Sequence, residues 1–189
     1  MPASAGASAP KVAARPATGW NGFAAESART AQRLPAPEKE ARAFLRAAAL
    51  IARLETEASR LARARGHAAG VLAYSDGLLE YREAADPELL HLLHQRGMAP
   101  PMMDNAQRKA LNRLGKLQGA KFDREYAELV GPEQQRANLQ QYEKALGLVT
   151  DPAVRGWIER QLPALRQQQD EAVRQLAAAE KGRGRSDAV

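Results

Sequence analysis

The chain has 189 residues, about one domain's worth, and 44% of them are hydrophobic while only 5% are aromatic. No cysteine is present, which removes disulfides, thiolate metal sites, iron–sulfur clusters and cysteine nucleophiles together. The formal charge of +6 includes +3 from residues 1–35 and +1 from 177–189, leaving +2 for the middle. A charge carried largely by the ends does not indicate sequence-specific nucleic-acid recognition, and points at most to weak contact of the tail with anionic surfaces.

Residues 1–36 are rich in Ala, Pro, Gly and Ser, with Trp20 and Phe23 as the only large apolar side chains. Such a segment buries too little surface to offset its ordering entropy, so it reads as a disordered tail. It lacks the apolar run of a secretory signal, and no stretch approaches the ~20 apolar residues that span a bilayer. Two locations remain as expectations: cytoplasmic, or exported with a signal preceding residue 1.

The first helix is expected over 37–66, opened by Pro37 and stopped by Gly66, with Phe44, Ala47, Ile51, Leu54, Ala58 and Leu61 on one stripe. The second covers 67–97, with Val71, Tyr74, Leu78, Ala85, Leu89 and Leu92. Asp86-Pro87 predicts a kink or restart near 84–87. Asp104 caps a short helix carrying Leu111, Leu114 and Leu117, which Gly119 ends. A long helix from Lys121 to Leu146 carries Phe122, Tyr126, Leu129, Ala137, Tyr142 and Leu146, with a kink or bulge at Gly131-Pro132. Asp151-Pro152 caps the last helix, striped by Val154, Ile158, Leu165 and Ala172, which frays after about 178 into a disordered 179–189 tail. No segment alternates with period two. The fold class is therefore all-α: an antiparallel four-helix bundle over 37–178 with one extra short helix.

The text "GAKFDREY" at 119–126, "DPAVRGWIERQLPALRQQQ" at 151–169 and, more loosely, 70–97 resembles a bacterial domain-of-unknown-function family, number 4142, over about 40–178. The resemblance implies a ferritin-like bundle, usually of the periplasm or outer membrane, whose members place a histidine on three long helices as a metal or small-ligand site. Here those positions hold Arg82, Gln134 or Gln135, and Gln168. A permanent cation and two weak oxygen donors are poor replacements for imidazole, so a histidine-built metal site is expected to be lost. Gln168, if it points inward, needs partners, and Arg82, Tyr126 and Glu55 or Glu57 are in question.

One Glu-x-x-His occurs, Glu88 to His91, with His94 three residues on; the only other histidine is His67. A di-iron bundle needs two such motifs, so the preferred reading is a surface pair near a helix C-terminus. Gln161, Gln168 and Gln175 recur every seven residues, and are read as the border of the buried stripe. Ser27, Ser59, Ser75 and Ser186 stand in no nucleophile-elbow context, and neither a P-loop nor a dinucleotide fingerprint occurs. No cofactor is expected. The leading expectation is a non-enzymatic envelope protein acting in binding, interaction or stress tolerance on an unidentified protein or small molecule. The alternatives are a ferritin-like metal-binding protein or oxidase, and an adaptor using its basic tail.

Overall fold

The structure is a computed structural model that describes residues 34–181, with side chains to 177. The chain divides into Met1–Leu34 and Pro35–Val189, and the described helices all belong to the second unit. The tail expected over 1–36 falls largely outside the described residues, and the one over 179–189 in large part.

Six helices are described: α1 Ala36–Arg65, α2 Ala69–Gln95, α3 Asn105–Leu114, α4 Gly119–Val130, α5 Pro132–Leu148 and α6 Pro152–Lys181. The described part is all helix and connecting loop. None of these helices is long and apolar enough to cross a membrane. Cross-links fix the directions. Arg42 donates to the Arg96 carbonyl while Arg63 pairs with Asp76, so α1 and α2 are antiparallel. Arg96 meets Asp151, and Tyr81 meets Gln161, so α6 runs opposite to α2. Ser59 meets Tyr126 and Phe44 meets Tyr142, so α4 and α5 form one rod opposite to α1.

That rod is therefore parallel to α2, and the chain must travel the length of the bundle between them. Residues 96–118 make this crossover, with α3 laid along its course beside α1. Four rods with one long crossover replace the short-turn connections expected throughout. Asp104 caps α3 through a full capping box with Gln107, as its spacing predicts.

Several expected details differ. In α1 the buried apolar positions are Ala41, Phe44, Leu45, Ala48, Ala49, Ala52, Ala58 and Ala62, whereas Ala47, Ile51, Leu54 and Leu61 are half-buried. Small side chains let the α1 backbone approach its neighbours, and the longer ones flank the seam. Through Pro87, α2 runs without a restart. Glu83 and Pro87 both lie on the exposed side, where the hydrogen bond that proline cannot donate costs least. Gly119 opens α4 rather than closing α3, which Gly115 ends.

At Gly131 the expected kink is a break between α4 and α5, with the glycine in extended backbone. A Cβ there would stand 2.1 Å from the Ala127 carbonyl oxygen, so the break needs glycine. The break resets the stripe: Leu129 and Leu146 are half-buried and Ala137 is exposed, while Gln135, Asn138, Tyr142 and Ala145 face inward. The last helix buries Val154, Trp157, Ile158, Leu162, Leu165, Ala172 and Leu176, and continues to Lys181.

The family-like motifs fasten this frame. Phe122 is fully buried, Tyr126 shares a 2.9 Å hydrogen bond with Ser59, and Asp123 accepts from the amides of His67 and Ala68 at 3.0 and 2.9 Å. At the other end Asp151 accepts from the amides of Ala153 and Val154, capping α6, and from Arg96 at the end of α2. Burial alone would raise the Asp151 carboxyl, but these hydrogen bonds, that from Arg96 foremost, hold it below its ordinary value.

Substitutions at two places test these contacts. A carboxyl depressed in the folded state stabilises above its unfolded pKa, and loses that contribution as pH falls through the folded value. Asp151→Ala should therefore cost about 1 kcal/mol near neutral pH, with the gap to the parent narrowing in strong acid; urea titrations across pH read it. Gly70 abuts α6, where a Cβ would lie 2.1 Å from the Gln175 carbonyl oxygen, whereas nothing lies within 4 Å of one at Gly77. Gly70→Ala should lose ~1–3 kcal/mol, and Gly77→Ala should gain about 0.5–1 kcal/mol; equal effects at both would refute the close packing at Gly70.

Candidate functional site

The core is two apolar clusters separated by a polar level. One gathers Phe44, Leu93, Tyr142, Trp157 and Leu165; the other gathers Tyr74, Leu114, Phe122, Tyr126 and Ala172. Between them on each rod lie residues 55–56, 82, 135–138 and 168–169. Glu55 is 4% exposed, Arg82 3%, Gln135 1% and Asn138 3%.

Gln135 donates from Nε2 to Glu55 Oε1 at 2.8 Å and to the Val130 carbonyl at 3.3 Å. Arg82 Nε lies 3.3 Å from Glu55 Oε2, close enough to be an ion pair but outside hydrogen-bonding geometry. Its Nη1 lies 3.6 Å from Asp86 Oδ1, one turn on, and its guanidinium carbon 4.2 Å from the centre of the Tyr81 ring. Buried ions are retained only where opposite charge and hydrogen bonds repay their desolvation. Burial pushes the Glu55 carboxyl up, with Arg82 and then Gln135 pulling it back. Burial likewise raises Asp86 against the pull of Arg82. Burial favours losing the Arg82 charge, yet Glu55 foremost among its neighbours keeps the guanidinium charged. Burial also pushes the Tyr81 hydroxyl up to about 12.

Six atoms of this level have no hydrogen-bond partner: Glu55 Oε2, Thr56 Oγ1, Arg82 Nε and Nη2, Asp86 Oδ1 and Asn138 Oδ1. Buried polar atoms ordinarily find partners, and three of these six, Glu55 Oε2, Arg82 Nε and Asp86 Oδ1, are met by the Arg82 ion pairs without hydrogen-bonding geometry. Thr56, Arg82 and Asp86 also line a groove of about 420 Å³ between α1 and α2, walled by Arg60, Arg63, Leu79, Glu83, Pro87 and Leu90.

Of the positions marked by the resemblance, the structure brings Arg82 and Gln135 together on Glu55, and Gln134 is exposed. Gln168 is at the right level on α6 but half-buried, and it gives no hydrogen bond to Arg82, Tyr126 or Glu55. Gln161 accepts from the Tyr81 hydroxyl at 2.9 Å. Glu88, His91 and His94 are not brought together. Glu88 pairs with Arg160 on α6, the side chains of His91 and Gln95 hydrogen-bond at 2.9 Å, and His94 is exposed. Among the described residues no three His, Asp or Glu are grouped to hold a metal. At the polar level itself a guanidinium occupies the place beside Glu55 and Asp86 where a metal cation would need to stand. The donor set does not fit a resident metal.

Arg82 had a signal in the sequence. It fills the step between Leu78 and Ala85 in the stripe of α2, where an apolar residue is due. Glu55 entered only as a candidate partner for Gln168, and Thr56, Asp86 and Asn138 had no signal as site residues, because their convergence depends on the pairing of rods.

An all-helical bundle with a charged level inside it, opening on a groove between its first two rods, is the class of protein these observations define. The chain belongs to the family described as Domain of unknown function (DUF4142), which it matches over residues 25–176. It matches no curated protein and no solved structure.

Removing one member of a buried ion pair strands the other, whereas replacing both by apolar groups of similar size does not. Arg82→Met alone should cost ~3–5 kcal/mol, and Glu55→Met with Arg82→Met should regain most of it. Chemical denaturation of the single and double variants decides: losses that simply add would show that the two side chains do not interact.

Proposed function

We propose that this is a non-enzymatic binding protein of the bacterial cell envelope, whose ligand seat is the groove floored by Arg82. The observation carrying the seat is the groove of about 420 Å³ between α1 and α2, which sets the cations of Arg60, Arg63 and Arg82 beside the carboxylates of Glu83 and Asp86. Pro87 adds a further acceptor, since it has no N–H to offer the Glu83 carbonyl. Donor and acceptor side by side suit a small zwitterion, its carboxylate turned to Arg82 and Arg60 and its ammonium to Asp86 and Glu83. Leu79 and Leu90 offer apolar contact to a side chain between these ends.

The envelope placement, periplasmic or outer-membrane-associated rather than cytoplasmic, is supported by the habit of the family the sequence resembles. The ferritin-like reading of the frame is supported by its single long crossover. A metal-binding or oxidase role is disfavoured by the cation already beside Glu55.

Calorimetry with free α-amino acids, their amides and the matching deaminated acids tests the seat. Binding is expected for amino acids with apolar side chains and is expected to fall at least tenfold when either charged end is removed or when Glu55 and Arg82 are both Met. Equal binding by the double variant, or none by the parent, removes the seat. Fractionation of the producing cell tests the placement separately.

A further inference from the structure

The charge of the folded part looks balanced by count and is strongly polarised in space. Residues 36–65, which are α1, carry a net +3, and the crossover 96–118 carries +4. Residues 66–95 carry −4 and 119–150 carry −1, while 151–176 are neutral. The two positive segments lie side by side, since α3 packs along α1 and Arg53 donates to the Pro101 carbonyl in the crossover at 3.4 Å. A net of +2 thus conceals +7 on α1 and the crossover and −5 on the other segments, although Arg63 and Arg96 are spent on Asp76 of α2 and Asp151 of α6.

The detail of α3 sharpens this. Leu114 is buried and Leu111 half-buried against the bundle. At 100° per residue, Arg108, Lys109 and Arg113 span an arc of about 140° that takes in the opposite, solvent-facing side, and Lys116 follows in the turn after the helix; all four are exposed. No acidic residue occurs from 105 to 118. Arg113 reaches Glu125 on α4, and Arg108 reaches Asn105 within its own helix. Beside them on α1, Arg46, Arg53 and Arg60 form an exposed row at seven-residue spacing; among the described residues, Arg60 alone of this row meets a carboxylate, that of Glu57. At the start of α3, Met102 is 75% exposed, an apolar side chain on the rim of a cationic face.

We infer that the α1–α3 side of the bundle is a docking surface for an anionic phospholipid bilayer, with the cations over the headgroups and Met102 entering the interface. Such a face attracts anionic lipid through each cation near the surface, and a flexible apolar side chain beside it gains by burial in the headgroup region. Single-stranded nucleic acid is the competing polyanion, and it is usually held by exposed aromatic rings that stack on bases. Among the described residues Phe44, Tyr74, Phe122, Tyr126, Tyr142 and Trp157 are all buried and Tyr81 is half-buried beside Arg82. Charge and composition together favour the lipid surface. The docking face and the ligand groove meet at Arg60, which lines both, while Arg108, Lys109 and Lys116 belong to the docking face alone.

Sedimentation of the full-length chain with vesicles is the test. The parent should bind vesicles of phosphatidylcholine mixed with phosphatidylglycerol, should release them as salt rises, and should ignore pure phosphatidylcholine. Each cation near an anionic surface is worth about fivefold in partitioning, so Arg108→Gln, Lys109→Gln and Lys116→Gln together should lower binding roughly a hundredfold, with an unchanged melting curve. Met102→Ser should weaken it further. Neutralising Lys11, Arg15, Arg29 and Arg33 instead provides the control for the N-terminal segment. Binding that survives the triple variant and vanishes with that control overturns the inference. So does a parent that ignores the mixed vesicles, or one that binds oligothymidylate more tightly than it binds them.

Discussion

A guanidinium held inside a helical bundle is the constraint around which the rest of this molecule is arranged. Arg82 sits in the stripe of α2 with 3% of its surface exposed, and a permanent cation cannot escape the cost of burial by losing its proton. The fold answers by placing Glu55 of α1 beside it and Asp86 one turn on, and by having Gln135 of α5 bind the far oxygen of Glu55. These contacts join three rods at one height. If α1 slid by a turn against α2, Arg82 would face alanines above or below Glu55, so the pair selects a register that the small, interchangeable alanines of α1 cannot select by themselves.

The residues that carry the family likeness do a different job, at the two ends. Asp123 ties α4 to the turn between α1 and α2, with Phe122 and Tyr126 anchoring it in the core. Asp151 ties the start of α6 to the end of α2 through Arg96. Both clasps close the ends of the crossover's journey, holding the parallel rod formed by α4 and α5 in place, while Leu114 of α3 anchors the crossover in the core between them. The charged level lies between the clasps, so the same rods that are tied at their ends are also fixed at their middle.

How much of this the sequence displayed depends on what each residue has to sense. The stripe of α2 was legible because every step from Val71 to Leu92 is met by one neighbour pattern, and even Arg82 marks itself as an interruption of it. The stripe of α1 was misread by about one residue. Ala47 and Ala48 are chemically identical, and only the distance to α2 and α6 decides which of them is enclosed. At 131 glycine and proline together announced a disturbance, but whether the helix bends or stops depends on whether the chain can turn against the Ala127 carbonyl, which is a matter of tertiary geometry. The crossover was invisible for a related reason. The loop after α2 looks short beside its helix, and nothing local says that 96–118 must climb the whole bundle. For the site, Glu55 reads as a polar residue bordering a stripe until α2 and α5 are set against it.

The same dependence on pairing explains why charge counted along the chain misled. Summed over the folded part it nearly cancels, because α2 is as acidic as the crossover is basic. Only when the crossover is laid on α1, away from the exposed carboxylates of α2, does the cancellation fail. In that arrangement α1 serves three neighbours at once: its alanine seam meets the core, its Thr56 edge opens on the groove beside α2, and its Leu61 edge receives α3. The arginine row at 46, 53 and 60 lies on the side that remains outward, with Glu57 beside Arg60 as its carboxylate. A helix whose other faces are committed to holding the bundle together offers that side to what lies outside the molecule, and arginine predominates on it.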